Sequence, residues 1–200
     1  MAIRSSIVTV GCTGATPSRL LAQLRASGIT AVADVRHHPL KATHPEWSPE
    51  AVASMLSDYG ISYVPVPELD PAMYMTLAGL QAEEEGGNDI MSAPQFLAGM
   101  RRLERGSDLG YRLALLGDDR DPAVCHRGLI VGHALWESGW RVLHFSARGR
   151  TEPHEALLER IMAMRGIKAG YLPQDYEERM TEAWRWQCER YIPGRQAVTA

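Results

Sequence analysis

Short apolar runs alternate with stretches of helical period through the first three quarters of the chain, and the punctuation between them is regular. Ile7-Val8-Thr9-Val10 has the pattern of a buried strand and ends at Gly11-Cys12-Thr13-Gly14. Thr16-Pro17 then has the form of a helix N-cap followed by proline at the first helical position; Leu20, Leu21 and Leu24 fall on one face, and Gly28 stops the helix. A second strand is expected over residues 30–35, followed by a polar loop from Arg36 to Trp47 with three histidines. Ser48-Pro49 repeats the cap-plus-proline start, Val52, Met55 and Leu56 supply a buried stripe, and Gly60 closes the helix before a strand at 61–66. Pro65 places that strand at an edge, because proline cannot donate to a ladder.

From Pro67 to Ala93 the periodicity fails, and Glu83-Glu84-Glu85-Gly86-Gly87-Asn88 suits a solvated loop or lid. Order returns with a helix near 94–105, a strand at 111–116, a loop at 117–124, a helix over about 125–138 and a strand at 141–145. This pattern predicts an α/β protein: a three-layer Rossmann-like or flavodoxin-like sandwich around a mainly parallel sheet of five strands. Two further helices, near 155–164 and 175–191, form a C-terminal extension. The division is 1–150 for the α/β domain and 151–200 for the extension, which packs on that domain or on a partner.

Right-handed crossovers give the strand order 3-2-1-4-5, with a switch point between the first and fourth strands. Ligands in such sheets bind beyond the carboxyl ends of the strands. The loops brought there are Gly11 to Thr13, Asp34 to His38 and Gly117 to Arg127, and these are rich in Cys, His, Arg and Asp.

Composition narrows the class. With 45% hydrophobic and 22% charged residues the 200-residue chain can bury a core, and 21 basic against 24 acidic residues leave a net charge of -3. No global positive field draws it to nucleic acid, although a local basic groove is compatible with these counts. No apolar run reaches the roughly 18 to 20 residues that span a bilayer, and the first residues lead into a strand rather than a signal peptide, so a cytoplasmic protein without a membrane partner is expected. Three widely spaced cysteines, Cys12, Cys125 and Cys188, argue for reduced thiols rather than a disulfide framework.

Asp118-Asp119-Arg120-Asp121-Pro122-Ala123-Val124-Cys125-His126-Arg127 resembles the signature of the family called domain of unknown function 488 (DUF488), in which an acidic turn and Asp-Pro precede Cys-His-Arg. Thr9-Val10-Gly11 resembles that family's opening strand and turn, Asp34-Val35-Arg36 its Asp-Val-Arg, and Pro39 its loop proline; the resemblance covers roughly residues 6 to 145. It implies the family without implying an activity. Cys12 stands where the family commonly has histidine, and Gly117 where it commonly has cysteine, so a mechanism needing either of those side chains is altered here.

The candidate catalytic residues are Cys125, His126 and Asp34; Gly11, Cys12, Thr13, Arg36, His37, Asp119 and Arg127 are the candidate binding residues. A helix N-terminus and Arg127 both favour a Cys125 thiolate, while a small buried side chain is the plainer role for the same cysteine. Adjacent positions on a helix point about 100° apart, which makes a direct Cys125–His126 pair poor and favours His37, His38 or His144 as the partner. Arg36 and Arg127 together suit a small anion such as phosphate, or form an internal network with Asp34, Asp118, Asp119 or Asp121. Asp34 orients an arginine or acts as a base. His37, His38 and His44 lack zinc-ligand spacing, so no metal is assigned; no cofactor is identified, and a noncovalent haem ligated by Cys or His stays open because axial ligation has no fixed local spacing. Trp184-Arg185-Trp186 with Tyr191 reads as a docking face on a helix or as a stacking surface, which leaves room for a homodimer. Two functions follow: an enzyme of hydrolase or transferase type acting on an anionic, nucleotide-like substrate, or a non-catalytic module that binds a ligand, nucleic acid or haem and in which Cys-His-Arg is architectural.

Overall fold

The computed structural model describes residues 5–36, 44–71, 88–145, 150–167 and 173–191. Strand β1 (Ser6–Gly11) leads to helix α1 (Pro17–Ala26), β2 (Ala31–Asp34), α2 (Pro49–Ser57) and β3 (Ser62–Pro65). Helices α3 (Asn88–Ser92) and α4 (Pro94–Asp108) precede β4 (Leu113–Gly117). A π-helical segment (Arg127–Gly132) then runs into α5 (His133–Glu137), β5 (Arg141–Phe145), β6 (Thr151–Pro153), α6 (His154–Met164) and α7 (Pro173–Tyr191).

Both predicted cap-plus-proline starts form. Thr16 Oγ1 accepts from the Arg19 amide and Ser48 Oγ from the Ala51 amide, which satisfies one orphan N–H at each helix start. The irregular stretch after Pro67 contains a 3-10 turn at Pro67–Leu69 and, at its far end, α3; residues 72–87 of the expected lid lie outside the described residues.

The sheet has six strands in the order β3-β2-β4-β1-β5-β6, which corrects the expected five strands and the order 3-2-1-4-5. The first five strands are parallel and β6, too short to show a pattern in the sequence, adds antiparallel to β5. The central strand is β4, lying between β2 and β1 with Ala114 opposite both Val32 and Val8. Its position has a physical cause. Every residue of Leu-Ala-Leu-Leu-Gly is buried, which suits a strand covered on both faces. A crossover from β1 long enough to include α1 can reach β2 while leaving a gap for β4.

The strand faces sort the helices into layers. Val8, Val10, Val32, Ala114 and Leu116 pack against Leu20 and Leu24 of α1 and Val52 and Leu56 of α2. Ile7, Ala31, Ala33, Leu113 and Leu115 face Phe96 and Leu103 of α4, Leu129 to Val131 of the π-helical segment, and Leu157, Ile161 and Trp184 of α6 and α7. The result is a three-layer α/β sandwich in which the C-terminal helices share the main core. Connections leave β1 and β2 toward one layer and β4 toward the other, so the expected switch point between the first and fourth strands exists, and a second lies between β4 and β2. No helix among the described residues is long and apolar enough to cross a membrane.

Candidate functional site

The loops after β1, β2 and β4 are stitched together beyond the carboxyl ends of these strands. The Cys12 amide donates to Gly117 O (3.1 Å) and the Thr13 amide to Asp118 O (2.9 Å), extending the β1–β4 pairing into the loops. The Val35 amide likewise donates to Leu116 O (3.0 Å). Asp34, Arg36, Cys12, Cys125, His126 and Arg127 are thereby gathered at one rim. Thr13 and the Asp119 side chain are exposed there, and Gly11 is half-buried. His37, with His38, lies outside the described residues, and His44 is exposed beside Glu46 (3.3 Å).

Arg36 is committed to internal contacts. Its Nε donates to Asp34 Oδ1 (2.9 Å), Nη2 to Asp34 Oδ2 (2.6 Å) and Nη1 to Trp47 O (2.8 Å), while its backbone N–H also reaches Asp34 Oδ1 (3.1 Å). Burial works against the Arg36 charge, but the Asp34 carboxylate outweighs it and holds the guanidinium firmly protonated. Tyr63 donates its phenol to Asp34 Oδ2 (2.6 Å); burial and that carboxylate push the phenol up. Asp34 therefore has an orienting arrangement. Cys12, fully buried, points its thiol at Asp118 O (3.6 Å), and burial pushes that thiol up to about 11, so it is a neutral side chain.

Arg127 is buried differently. It is fully enclosed, yet Nη1 donates to Asp119 O (2.8 Å), Nη2 to Arg120 O (3.2 Å) and Nε to nothing, and it pairs with no carboxylate among the described residues. A buried cation without a carboxylate partner is expensive, and the Arg127 charge favours an ionised Cys125 close by. Burial pushes the Cys125 thiol up, but the Arg127 charge, a hydrogen bond to the His126 side chain, the His126 charge and the Arg127 backbone N–H together pull it down to about 6.

The 100° argument against a direct Cys125–His126 pair rests on a helical Cys125, and that premise fails. Cys125 stands just before the helix in extended conformation (φ -134°, ψ 136°), so helical spacing does not apply to the pair. His126 Nε2–H donates to Val35 O (2.5 Å), a carbonyl that can only accept, so Nδ1 is the ring nitrogen not engaged by that carbonyl. Burial lowers the imidazole, but the bond to Cys125 and the thiolate charge outweigh it and raise His126 above its ordinary value, with buried Asp70 contributing. His144, the alternative partner, instead bonds Thr9.

Gly117 and the π-helical turn explain how Arg127 fits. A Cβ at position 117 would lie 2.5 Å from Arg127 Cδ, so glycine leaves the volume its stem occupies. π-Helical stretches recur at functional sites because the wider turn re-aims side chains. Asp70, Tyr63 and the buried histidines His133 and His154 carry no signal in the sequence: Asp70 lies in the stretch without periodicity, and Tyr63 sits within a strand pattern. Among the described residues no group of three or more His, Cys, Asp or Glu is placed to hold a metal ion. Two cavities away from the rim, about 590 and 330 Å³, are lined by Arg165 with α7 and by α3, α4 and α5 with Ser138 respectively. One of about 20 Å³ touches the rim at Gly11 and Arg120.

A family model described as domain of unknown function DUF488 matches residues 16–134. No curated protein and no solved structure matches the chain.

Proposed function

The chain belongs to the DUF488 family, and from that membership and the rim geometry we propose that it is an enzyme in which the Cys125 thiolate is the nucleophile and Arg127 helps to hold an anionic, phosphate- or nucleotide-like substrate. The observation that carries this reading is a buried Cys125 set beside His126 and beside a buried Arg127 that has no carboxylate partner among the described residues. A thiolate so placed attacks an electrophilic centre, and the sulfur–substrate bond forms as the leaving group departs with its electron pair. The His126 imidazolium supplies the proton to that leaving group and recovers one when the intermediate is released to water or an acceptor, which makes the reaction a hydrolysis or a transfer. Arg36 supports the rim through Asp34 and contributes its charge at a distance.

Burial of Cys125, only 3% exposed, favours a second reading in which Cys-His-Arg is architectural and the rim binds a ligand, a nucleic-acid backbone or a partner without turnover. Iodoacetamide separates the two. In the folded protein Cys125 should be alkylated with a rate that rises with pH, bends near pH 6 and is flat above about pH 7, because a thiol pulled down to about 6 is already ionised there. Inorganic phosphate should slow that alkylation. Cys125 that stays unmodified until the protein unfolds, together with a lower Tm for Cys125→Ala, would establish the architectural reading.

A further inference from the structure

Beneath the rim, four side chains from four different elements join into one buried hydrogen-bonded line that continues to a surface carboxylate. Thr9 Oγ1 on β1 lies 2.8 Å from His144 Nδ1 on β5; His144 Nε2 lies 3.0 Å from His154 Nδ1 at the start of α6; and His154 Nε2 lies 3.2 Å from His133 Nδ1 on α5. His133 Nε2 ends the line 3.6 Å from the half-exposed carboxylate of Glu137. The three rings are almost fully buried, and His133 stacks on Trp184 of α7 with centroids 4.2 Å apart.

The Glu137 end sets the direction of every bond, since the Thr9 hydroxyl at the other end can donate or accept. A carboxylate favours a proton on His133 Nε2, which leaves Nδ1 to accept from His154 Nε2–H. His154 Nδ1 then accepts from His144 Nε2–H, and His144 Nδ1 from the Thr9 hydroxyl. One tautomer, with hydrogen on Nε2, satisfies all three neutral rings. An added proton must go on an Nδ1. On His133 or His154 it sets N–H against N–H, and relief requires each successive ring to change tautomer until the Thr9 hydroxyl turns away. The charge would also be buried.

We propose that this line is a neutral-imidazole latch that holds α6 and α7 on the sheet while all three rings are uncharged, and that acidification opens it. The surroundings reinforce that requirement. Arg127 from the π-helical segment and Arg160 from α6 both act on His144 with positive charge. Glu152 on β6 and Asp121 before the π-helical segment are already occupied by Arg160. Glu155 on α6 is occupied by Trp136 Nε1 (2.8 Å). Among the described residues only Glu137, at the exposed end, offsets an added charge directly. Burial lowers His133 to about 4 and His144 to about 3, and lowers His154 strongly, with its two neighbours adding to the effect.

The sign follows from these directions. A released histidine takes up its proton near pH 6.5, whereas a latched one does not. The latch is therefore at full strength above about pH 6.5 and weakens as pH falls toward the folded values, by up to about tenfold per pH unit for each ring.

Amide hydrogen exchange of the full chain at pH 7 and pH 4.5, corrected for intrinsic rates, tests this. The proposal expects α6 and α7 to lose protection by more than about tenfold at pH 4.5 while β4 keeps its own. It expects ¹⁵N spectra at pH 7 to show Nε2–H tautomers for all three rings. His133→Phe preserves the ring stack on Trp184, removes the outermost titrating site and should lessen the pH effect; the spectra of the unaltered protein decide the matter if that variant does not fold. Protection of α6 and α7 that is unchanged at pH 4.5, or lost together with that of β4, overturns the proposal, as do rings that titrate near 6.5 in the folded protein.

Discussion

Asp34→Ala should destabilise the protein by about 3–5 kcal/mol, the usual cost of stranding one member of a buried ion pair. The Arg36 and Asp34 side chains are 0% and 4% exposed, so water cannot replace what the carboxylate provides. The substitution would remove two charge-assisted hydrogen bonds from the guanidinium, one from the Arg36 backbone and the acceptor of the Tyr63 phenol. Among the described residues Arg36 would keep only Trp47 O and a long contact to Cys12 Sγ at 4.0 Å. Urea unfolding measures the effect: the midpoint should fall with the slope unchanged. The double variant Asp34→Leu, Arg36→Met should recover much of the loss, because replacing both charges by apolar groups removes the stranded cation. A loss below about 1 kcal/mol in Asp34→Ala would show that the pair is solvated in solution.

Gly11→Ala should be the most damaging single-methyl change at the rim. Its Cβ would fall 1.9 Å from Asp119 O, 2.6 Å from Asp119 C and 2.9 Å from Arg120 Cα, all backbone atoms that no rotamer change can move aside. Overpacking of this kind costs about 3 kcal/mol where relief requires the backbone to shift. It should also alter chemistry, because the two carbonyls holding the Arg127 guanidinium belong to Asp119 and Arg120. Displacing them should weaken the charge that pulls Cys125 down, and the bend in the alkylation profile should move to higher pH. Gly106→Ala is the control, since its Cβ would meet only Leu113 side-chain carbons at 3.5 and 3.7 Å. Equal stability and an unchanged profile in Gly11→Ala would show that the loop after β4 yields freely.

The local signals in the sequence were strong where one residue type does one physical job. Thr16-Pro17 and Ser48-Pro49 start helices because hydroxyl caps and a missing N–H solve the same end problem, and both formed. The rim was legible for a related reason: parallel strands carry their following loops to one edge, so Cys12, Arg36 and Arg127 had to converge once the strands were found. Strand order was not legible, because the same crossover serves a neighbouring strand or one that skips a place. The relation of Cys125 to His126 was not legible, because helical period extends smoothly through Cys125 in the sequence whereas the residue is extended in the structure. The histidine line was invisible because His133, His144 and His154 come from α5, β5 and α6, and their spacing along the chain carries no period. Arg36 shows a different limit: composition placed it at the rim, but only its geometry shows that Asp34 occupies its fork.

The insertion of β4 between β1 and β2 sets an order on synthesis. As the chain emerges from the ribosome, β2 and β3 can pair at once, whereas β1 must wait for partners that arrive only with residues 113–117 and 141–145. Until then the nascent sheet is two unjoined pieces with open edges, and a fragment ending before Leu113 lacks the strand that joins them. Such delayed closure leaves the amino-terminal half exposed to aggregation during translation, so the yield of folded protein should depend on chaperone supply more than its finished stability suggests.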